Sequence, residues 1–401
     1  MMFGIKKDDD FMVKVKLIHH MYLSAPNGAN TVMNSLLNSK KLFASYGIEI
    51  SSFSPDLFAP RSFSSESQAQ LKYSWRARLK TILKDVTRYS ALAADIMVYI
   101  TNIFPAKRIV KKYFQSNPSR DETVFFHTLA PCYFFLKNNQ YNQRVVVVCH
   151  TNGDNFKMER IYYPALERSM VYKWLLKMEK YVIRHANQIN FVAENAARNF
   201  VELHPEADPN KVSYIYNGVP DIIRASRTKP KSEVMEFCCV ASISKRKGQH
   251  YIIDALKQIS KDNIQKVHFT FVGEGPDRKE LSDDVMQSGL GDYITFAGIS
   301  QNVDEYLVNS DAYILPSEDE GLPMAIIEAM RASLPIIATK VGGIPEMIVH
   351  GQNGILVSPS ASDICDLLMH LDKYDWRTMG NNARKTYEEK FSLTQMVEGY
   401  A

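Results

Sequence analysis

Glu320 and Glu328 have seven residues between them. The first lies in the loop Pro316-Ser317-Glu318-Asp319-Glu320-Gly321-Leu322-Pro323, which follows a short apolar run and leads into the helical pattern that carries the second. Gly321 has no side chain to keep a ligand from the backbone. Pro323 suits a first helical position, so amides near Leu322 and Met324 are expected to be free for a phosphate. Three acidic residues beside such an anion site make sense if they address another part of the ligand, hydroxyl groups or a developing positive charge. A second loop, Ser244-Lys245-Arg246-Lys247-Gly248, gathers cations between an apolar run and a helical pattern, the chemistry that neutralises a diphosphate. His150 closes the apolar run 145–148 and His127 closes 124–126, positions from which an imidazole can hydrogen-bond a ligand hydroxyl.

Those loops need a scaffold. Apolar runs at 13–20, 48–54, 123–128, 144–150, 188–193 and 212–216 alternate with segments long enough for helices. A polar stretch at 224–231, with Thr228 and Pro230, reads as a linker. A second series follows, with strands expected at 236–241, 267–272, 293–297, 312–315, 335–339 and 354–357, and helices at 250–259, 278–286, 324–331 and 363–371. Near-continuous apolar strands are what a parallel sheet covered on both faces requires. The expected fold is therefore α/β, two doubly wound Rossmann-like domains at 1–220 and 221–390 facing each other across a cleft, with a helix after 390 packing back on the first. Ligands in such sheets sit beyond the carboxyl ends of the strands, where strand order reverses. Pro26-Asn27-Gly28-Ala29-Asn30 follows the first strand, where it reads equally as a ligand loop or an ordinary strand-to-helix turn.

Composition sets the outer limits. The 401 residues exceed one ordinary core, and 45% hydrophobic with 23% charged residues is an ordinary globular balance. Residues 1–220 hold 29 Lys and Arg against 18 Asp and Glu, and the remainder 19 against 26, so a basic half meets an acidic one. The basic half is expected to meet something anionic. No nucleic-acid recognition motif accompanies it. Five cysteines without CxxC spacing point to buried free thiols rather than a disulfide framework or a zinc site. Neither an apolar signal core in the first ten residues nor an apolar stretch of about 18 residues occurs, and a soluble or peripheral cytoplasmic protein is expected.

The paired glutamates resemble the E-x7-E motif of retaining glycosyltransferases of GT-B architecture, glycosyltransferase family 4 in particular. Gly321-Leu322-Pro323, Glu328-Ala329-Met330, Leu334-Pro335-Ile336-Ile337-Ala338-Thr339 and Val341-Gly342-Gly343-Ile344-Pro345-Glu346 look like that family's C-terminal domain. So do Phe271-Val272-Gly273-Glu274-Gly275-Pro276, Asn217-Gly218-Val219 and His350-Gly351-Gln352-Asn353-Gly354. The resemblance implies a hexosyl-type sugar moved with retention from a UDP- or GDP-sugar to a glycan or lipid-linked acceptor in bacterial cell-surface polysaccharide synthesis. The nucleotide-sugar is a co-substrate, and neither a cofactor nor a metal is expected.

By the same resemblance Glu328 holds the ribose, Glu320 lies at the transferred sugar and Lys247 grips the phosphates. His150 faces the sugar, with His127 and Asn217 on the sugar or acceptor side. Gly28 and the loop after Gly298 approach the nucleotide. Ser242 stands where the family usually has an arginine, a role left to Arg246 or Lys245. The basic amphipathic stretch 71–89, followed by Lys107, Arg108, Lys111 and Lys112, suits an anionic membrane surface. Rival readings on the same architecture are a phosphorylase, a nucleotide-sugar epimerase and a non-catalytic carbohydrate-binding relative.

Overall fold

The computed structural model describes residues 12–23, 28–58, 86–228 and 233–401. The chain divides into two compact units, Met1–Ile215 with Val397–Ala401, and Tyr216–Met396. In the first, β1 (Val13–Ile18), β2 (Ile48–Phe53), β3 (Glu122–Phe126), β4 (Val145–Cys149), β5 (Gln188–Phe191) and β6 (Val212–Tyr214) form one parallel sheet in the order β2-β1-β3-β4-β5-β6. β4 reads Val-Val-Val-Val-Cys and is buried at every position, as a central strand covered on both faces must be. Strands expected to run to 128 and 150 stop at Phe126 and Cys149, because the ladder of β3 with β4 ends at Phe126 and that of β4 with β5 ends at Cys149. His127 and His150 are thereby released from the sheet.

One face of this sheet is covered by the helices Leu129–Asn138 and Met170–His185 and by a long run built of Ala91–Val98, a π-turn at Tyr99–Ile103, and Phe104–Gln115. Val98, Ala106, Leu166, Leu175 and Met178 share the core between them. Pro105, at the second position of its helix, has no amide to give the preceding turn. The π-turn just before it absorbs that loss and widens the backbone around Asn102. The last residues close the unit, with Tyr400 buried edge-on against Phe125.

In the second unit β7 (Met235–Val240), β8 (Val267–Val272), β9 (Ile294–Gly298), β10 (Ala312–Leu315), β11 (Ile336–Thr339) and β12 (Gly354–Val357) form another parallel sheet, ordered β12-β11-β10-β7-β8-β9. Both sheets are doubly wound. Order reverses between β1 and β3 in the first and between β7 and β10 in the second. All five cysteines are buried free thiols.

The stretch read from sequence as a linker corrects itself in part. Its described portion is fastened to the second unit: Arg224 N donates to Asp304 (2.8 Å), Arg227 to Asp311 (2.9 Å) and Thr228 N to Asn309 (2.8 Å). Polar composition there serves hydrogen bonds to a neighbouring surface and not chain freedom. Residues 229–232 lie outside the described residues, as do 24–27 of the first strand-to-helix loop and 59–85, which hold most of the basic amphipathic stretch.

Gly248 closes the cationic loop after β7 with φ +76°, and a Cβ there would stand 1.9 Å from the carbonyl oxygen of Pro316. The loops after β7 and β10 touch backbone to backbone at this point, so no side chain fits. Gly248→Ala should therefore cost at least about 1–3 kcal/mol from the left-handed backbone alone. A lowered midpoint in thermal or urea unfolding, accompanied by weakened nucleotide binding, is the expected result.

Candidate active site

The switch point between β7 and β10 brings two sequence-distant loops onto one pair of side chains. Lys247 Nζ donates to Glu320 Oε1 at 2.5 Å, and Arg246 Nη1 lies 3.8 Å from Glu320 Oε2. The two loops are stitched by backbone as well: Glu318 N donates to Arg246 O (2.8 Å) and Arg246 Nη1 to Asp319 O (2.7 Å). Ser317 Oγ donates to the same Glu320 oxygen that Lys247 holds (2.7 Å), and Thr339 Oγ1 donates to Ser317 O (2.5 Å). From the far side Gly342, at φ +55°, lies so near the Glu320 carbonyl that a Cβ would approach it to 1.7 Å. Glu320 is buried, and its direction is set by these neighbours.

Pro323 occupies the N-cap of the helix Met324–Arg331 and not its first turn, a correction of one position. Its ψ of 116° keeps it extended, and a proline ring fixes only φ. The helix start nevertheless lies beside Glu320, with Gly321, Leu322 and Met324 around it, and Glu328 follows one turn in. Gly298 ends β9 at φ +73°, facing Glu274 of the loop after β8. Ser242 is exposed on the loop after β7, and Lys245 is held through its backbone amide by Asp277 (2.5 Å). Of the two cations proposed to replace the arginine missing at Ser242, Arg246 is the one that approaches Glu320.

In the first unit the switch point gathers histidines. His127 Nδ1 and His150 Nε2 are 2.7 Å apart, with rings stacked at 5.0 Å and 19°. His20, at the end of β1, is paired with Thr128 Oγ1 at 3.2 Å, and His19 packs beside it. Burial keeps these imidazoles uncharged: His20 is pushed down to about 3, His19 and His150 to about 4, and His127 well below its usual value. A neutral imidazole pair offers one donor and one acceptor, and an array of them hydrogen-bonds hydroxyls without attracting charge.

Other expected residues lie elsewhere. Gly28 opens the helix Gly28–Asn38, past the loop that is outside the described residues. Asn217 is buried within the second unit near the bridge between Val219 and Ser392, and its Oδ1 has no hydrogen-bond partner among the described residues. Among the described residues no helix is long and apolar enough to cross a membrane.

The family described as Glycosyl transferases group 1 matches residues 221–386, and the family described as Glycosyltransferase Family 4 matches residues 53–221. The chain belongs to glycosyltransferase family 4. N-acetyl-alpha-D-glucosaminyl L-malate synthase of Bacillus anthracis is 30% identical over 211 residues, 50% of this chain and 55% of that protein. The amylovoran biosynthesis glycosyltransferase AmsK of Erwinia amylovora is 29% identical over 148 residues, 35% of this chain and 36% of AmsK. The matches thus span about half, or less, of the length of these curated relatives. HepE of Anabaena, crystallised with UDP and with UDP-glucose, has a TM-score of 0.66 at 16% identity, and its UDP complex covers 97% of this chain and 98% of HepE. That likeness is one of fold, the two-domain GT-B class.

In this family 4 chain, sequence reading missed the residues that aim the site. Ser317 and Thr339 are fully buried and polar, and Gln249, also fully buried, donates to Ser242 O (3.1 Å). Ser317 sits three residues before Glu320, a spacing that could have suggested the contact; Thr339 and Gln249 carry no such local signal. His19 and His20 were read as the end of an apolar run, although two histidines closing a first strand are the same signal that singled out His150.

Glu328 is half-buried on the helix Met324–Arg331, and burial raises its carboxyl to about 7, against a downward pull from Arg331 and an upward one from Asp304. Arg331 is itself paired with Asp304 and donates to Pro220 O (3.2 Å), so it offsets the burial only in part. Between about 4.5 and about 7 the folded protein keeps a proton at Glu328 that the unfolded chain has lost, and this group's contribution to stability falls as pH rises through that window. Glu328→Gln cannot ionise. Its unfolding midpoint should gain on that of the unaltered protein as pH is raised from 5 to 8, and an unchanged difference across paired melts would contradict the assignment.

Proposed function

We propose that this protein is a retaining glycosyltransferase that moves a hexosyl-type sugar from a UDP- or GDP-sugar to a glycan or lipid-linked acceptor. The observation that carries this reading is the meeting of Lys247, Arg246 and Glu320 at the switch point of the second sheet, with Glu328 one turn into the adjoining helix. Cations that hold the Glu320 carboxylate have the charge to hold a diphosphate. Glu328 suits a vicinal diol, since a carboxylate can accept both its hydrogen bonds. The UDP and UDP-glucose complexes of HepE support a nucleotide-sugar donor, and the part of AmsK in amylovoran biosynthesis supports a place in polysaccharide synthesis.

In the proposed reaction Lys247 and Arg246 neutralise the charge that grows on the diphosphate as the bond from its oxygen to the anomeric carbon breaks. His150 donates to or accepts from a hydroxyl of the transferred sugar. Glu320, turned loose from Lys247, stabilises positive charge on the anomeric carbon. The acceptor oxygen forms its bond on the face the phosphate leaves, and its proton passes to the departing phosphate oxygen, which gives retention. Positive charge for the leaving group comes from side chains, so no metal is assigned to it.

An anionic membrane surface is part of the proposal for the acceptor. The helix Phe104–Gln115 exposes Lys107, Arg108 and Lys111 beside the exposed Tyr99, Ile100 and Phe104, and each such cation contributes about 1 kcal/mol at an anionic bilayer. Replacing Lys107, Arg108 and Lys111 together by alanine should release the protein from phosphatidylglycerol vesicles in a sedimentation assay; equal sedimentation of both proteins would refute this face.

Transfer is tested with a panel of UDP- and GDP-sugars. Glu320→Gln should lower turnover by about 10²–10³ while leaving nucleotide affinity intact or tighter, because Lys247 no longer has a carboxylate to leave. Lys247→Ala should weaken nucleotide binding by about tenfold or more, the loss of a charge-assisted hydrogen bond. Unchanged turnover in Glu320→Gln would sink the site. Turnover that needs inorganic phosphate, or sugar interconversion without acceptor, would identify a phosphorylase or an epimerase instead.

A further inference from the structure

His150 is the first residue past β4, where the ladder to β5 no longer holds the chain. From His150 to Asn155 no backbone-to-backbone hydrogen bond fastens it among the described residues. Peptide groups without such bonds must be ordered by side chains or by water. Side chains supply the hold here. Asn152 accepts from Asn195 (3.1 Å) and Asn199 (3.3 Å) on the helix Glu194–Leu203. Gly153, at φ +93°, approaches the same helix so closely that a Cβ would stand 2.8 Å from Phe200 N. Asp154 accepts from Phe156 N (3.1 Å) and pairs with Arg160.

Next to His150 the hold passes to one carboxylate. Thr151 donates to Asn155 Oδ1 (2.8 Å), and Asn155 Nδ2 donates to Glu179 Oε1 (2.9 Å). Both ends of the Asn155 carboxamide are thus engaged, and in that order only, because a carboxylate has no proton to give and must face the amino end. Glu179 shares the buried face of the helix Met170–His185 with Leu175 and Val182 and is 3% exposed. Its other oxygen lies 3.7 Å from His204 Nε2, and among the described residues no Lys or Arg pairs with it. Burial raises this carboxyl, and the Asn155 bond pulls against that rise. A leucine would fill the same space without the cost of burying an acid, so packing alone gives no reason for a glutamate here. Nor does Glu179 line the cavity that His127 and His150 share.

We propose that Glu179 is a positioning residue for His150: through Asn155 and Thr151 it fixes the chain that leaves β4, and with it the bearing of the imidazole. This role rests on the reading of His150 as a group that faces the transferred sugar, but it is measured first without any donor.

Imidazole NMR of the whole chain follows the ring itself. The resonances of His127 and His150, identified by their loss in His127→Phe and His150→Phe, should shift and broaden in Glu179→Ala. Asn155→Asp sets two carboxylates face to face and should do the same. In the double variant Asn155→Asp with Glu179→Gln the acid and the amide exchange places, so the bond re-forms with its direction reversed and the resonances should return. With a donor that turns over, Asn155→Asp should lower kcat at least about tenfold, as a misplaced group does, while donor KM stays within about twofold; the double variant should recover most of that loss. A role confined to stability would lower the unfolding midpoint of Glu179→Ala and leave the resonances and the kcat of the folded protein unchanged. That result overturns the positioning role, and so does a loss that the exchange fails to reverse. If the unaltered protein turns over no donor, the transferase reading fails, and the resonances alone decide whether Glu179 aims His150.

Discussion

Lys247 and Glu320 carry opposite charges into a half-buried gap, and neither can be left there alone. A charge taken from water without a partner costs several kcal/mol, while the pair with its added hydrogen bond from Ser317 comes near to balance. The loop after β10 is therefore held against the loop after β7 by electrostatics as well as by the backbone contacts that Gly248 and Gly342 permit. Charge, backbone approach and side-chain hydrogen bonds converge on one carboxylate. In the proposed reaction an arriving anion of higher charge offers the same cations a better partner, and the carboxylate is then free to turn to something else.

The first unit solves a different problem with the same scaffold. Its switch point is furnished with imidazoles that burial keeps neutral, and Glu159 stands among hydrogen-bonding groups there. Such a surface offers hydrogen bonds rather than positive charge. The basic character of that half of the sequence does not reach the cavity at His127 and His150; the described cations of the helix Phe104–Gln115 lie on an exposed face. Among the described residues that line the cavity, none is Lys or Arg, so the net charge of the half does not describe this place.

Much of this was written in the sequence. Continuous apolar runs such as Val145–Cys149 and Ala312–Leu315 can satisfy their burial only in a parallel sheet covered on both faces, so strand positions and the doubly wound class follow from periodicity and alternation. Glu320, Glu328, Lys247 and His150 were legible as candidates because they stand in or near strand-end loops, where such sheets carry chemistry, and the two glutamates also because their spacing is local. The polar stretch after Pro220 misled, since composition cannot distinguish a free chain from one fastened by Arg227 and Thr228 to a neighbouring surface.

Tertiary structure alone decided which groups meet. Lys247 and Glu320 are 73 residues apart, and their contact follows from strand order, not from either loop. The same holds for Thr339 bonded to Ser317, for His127 against His150, and for Asn102 and Glu159, which line one cavity. Sequence determined the kinds of groups and the ends of the strands on which they stand, because those depend on local periodicity. Their partners, burial and protonation were decided by the fold, because desolvation and Coulomb energy depend on distance in space and not along the chain.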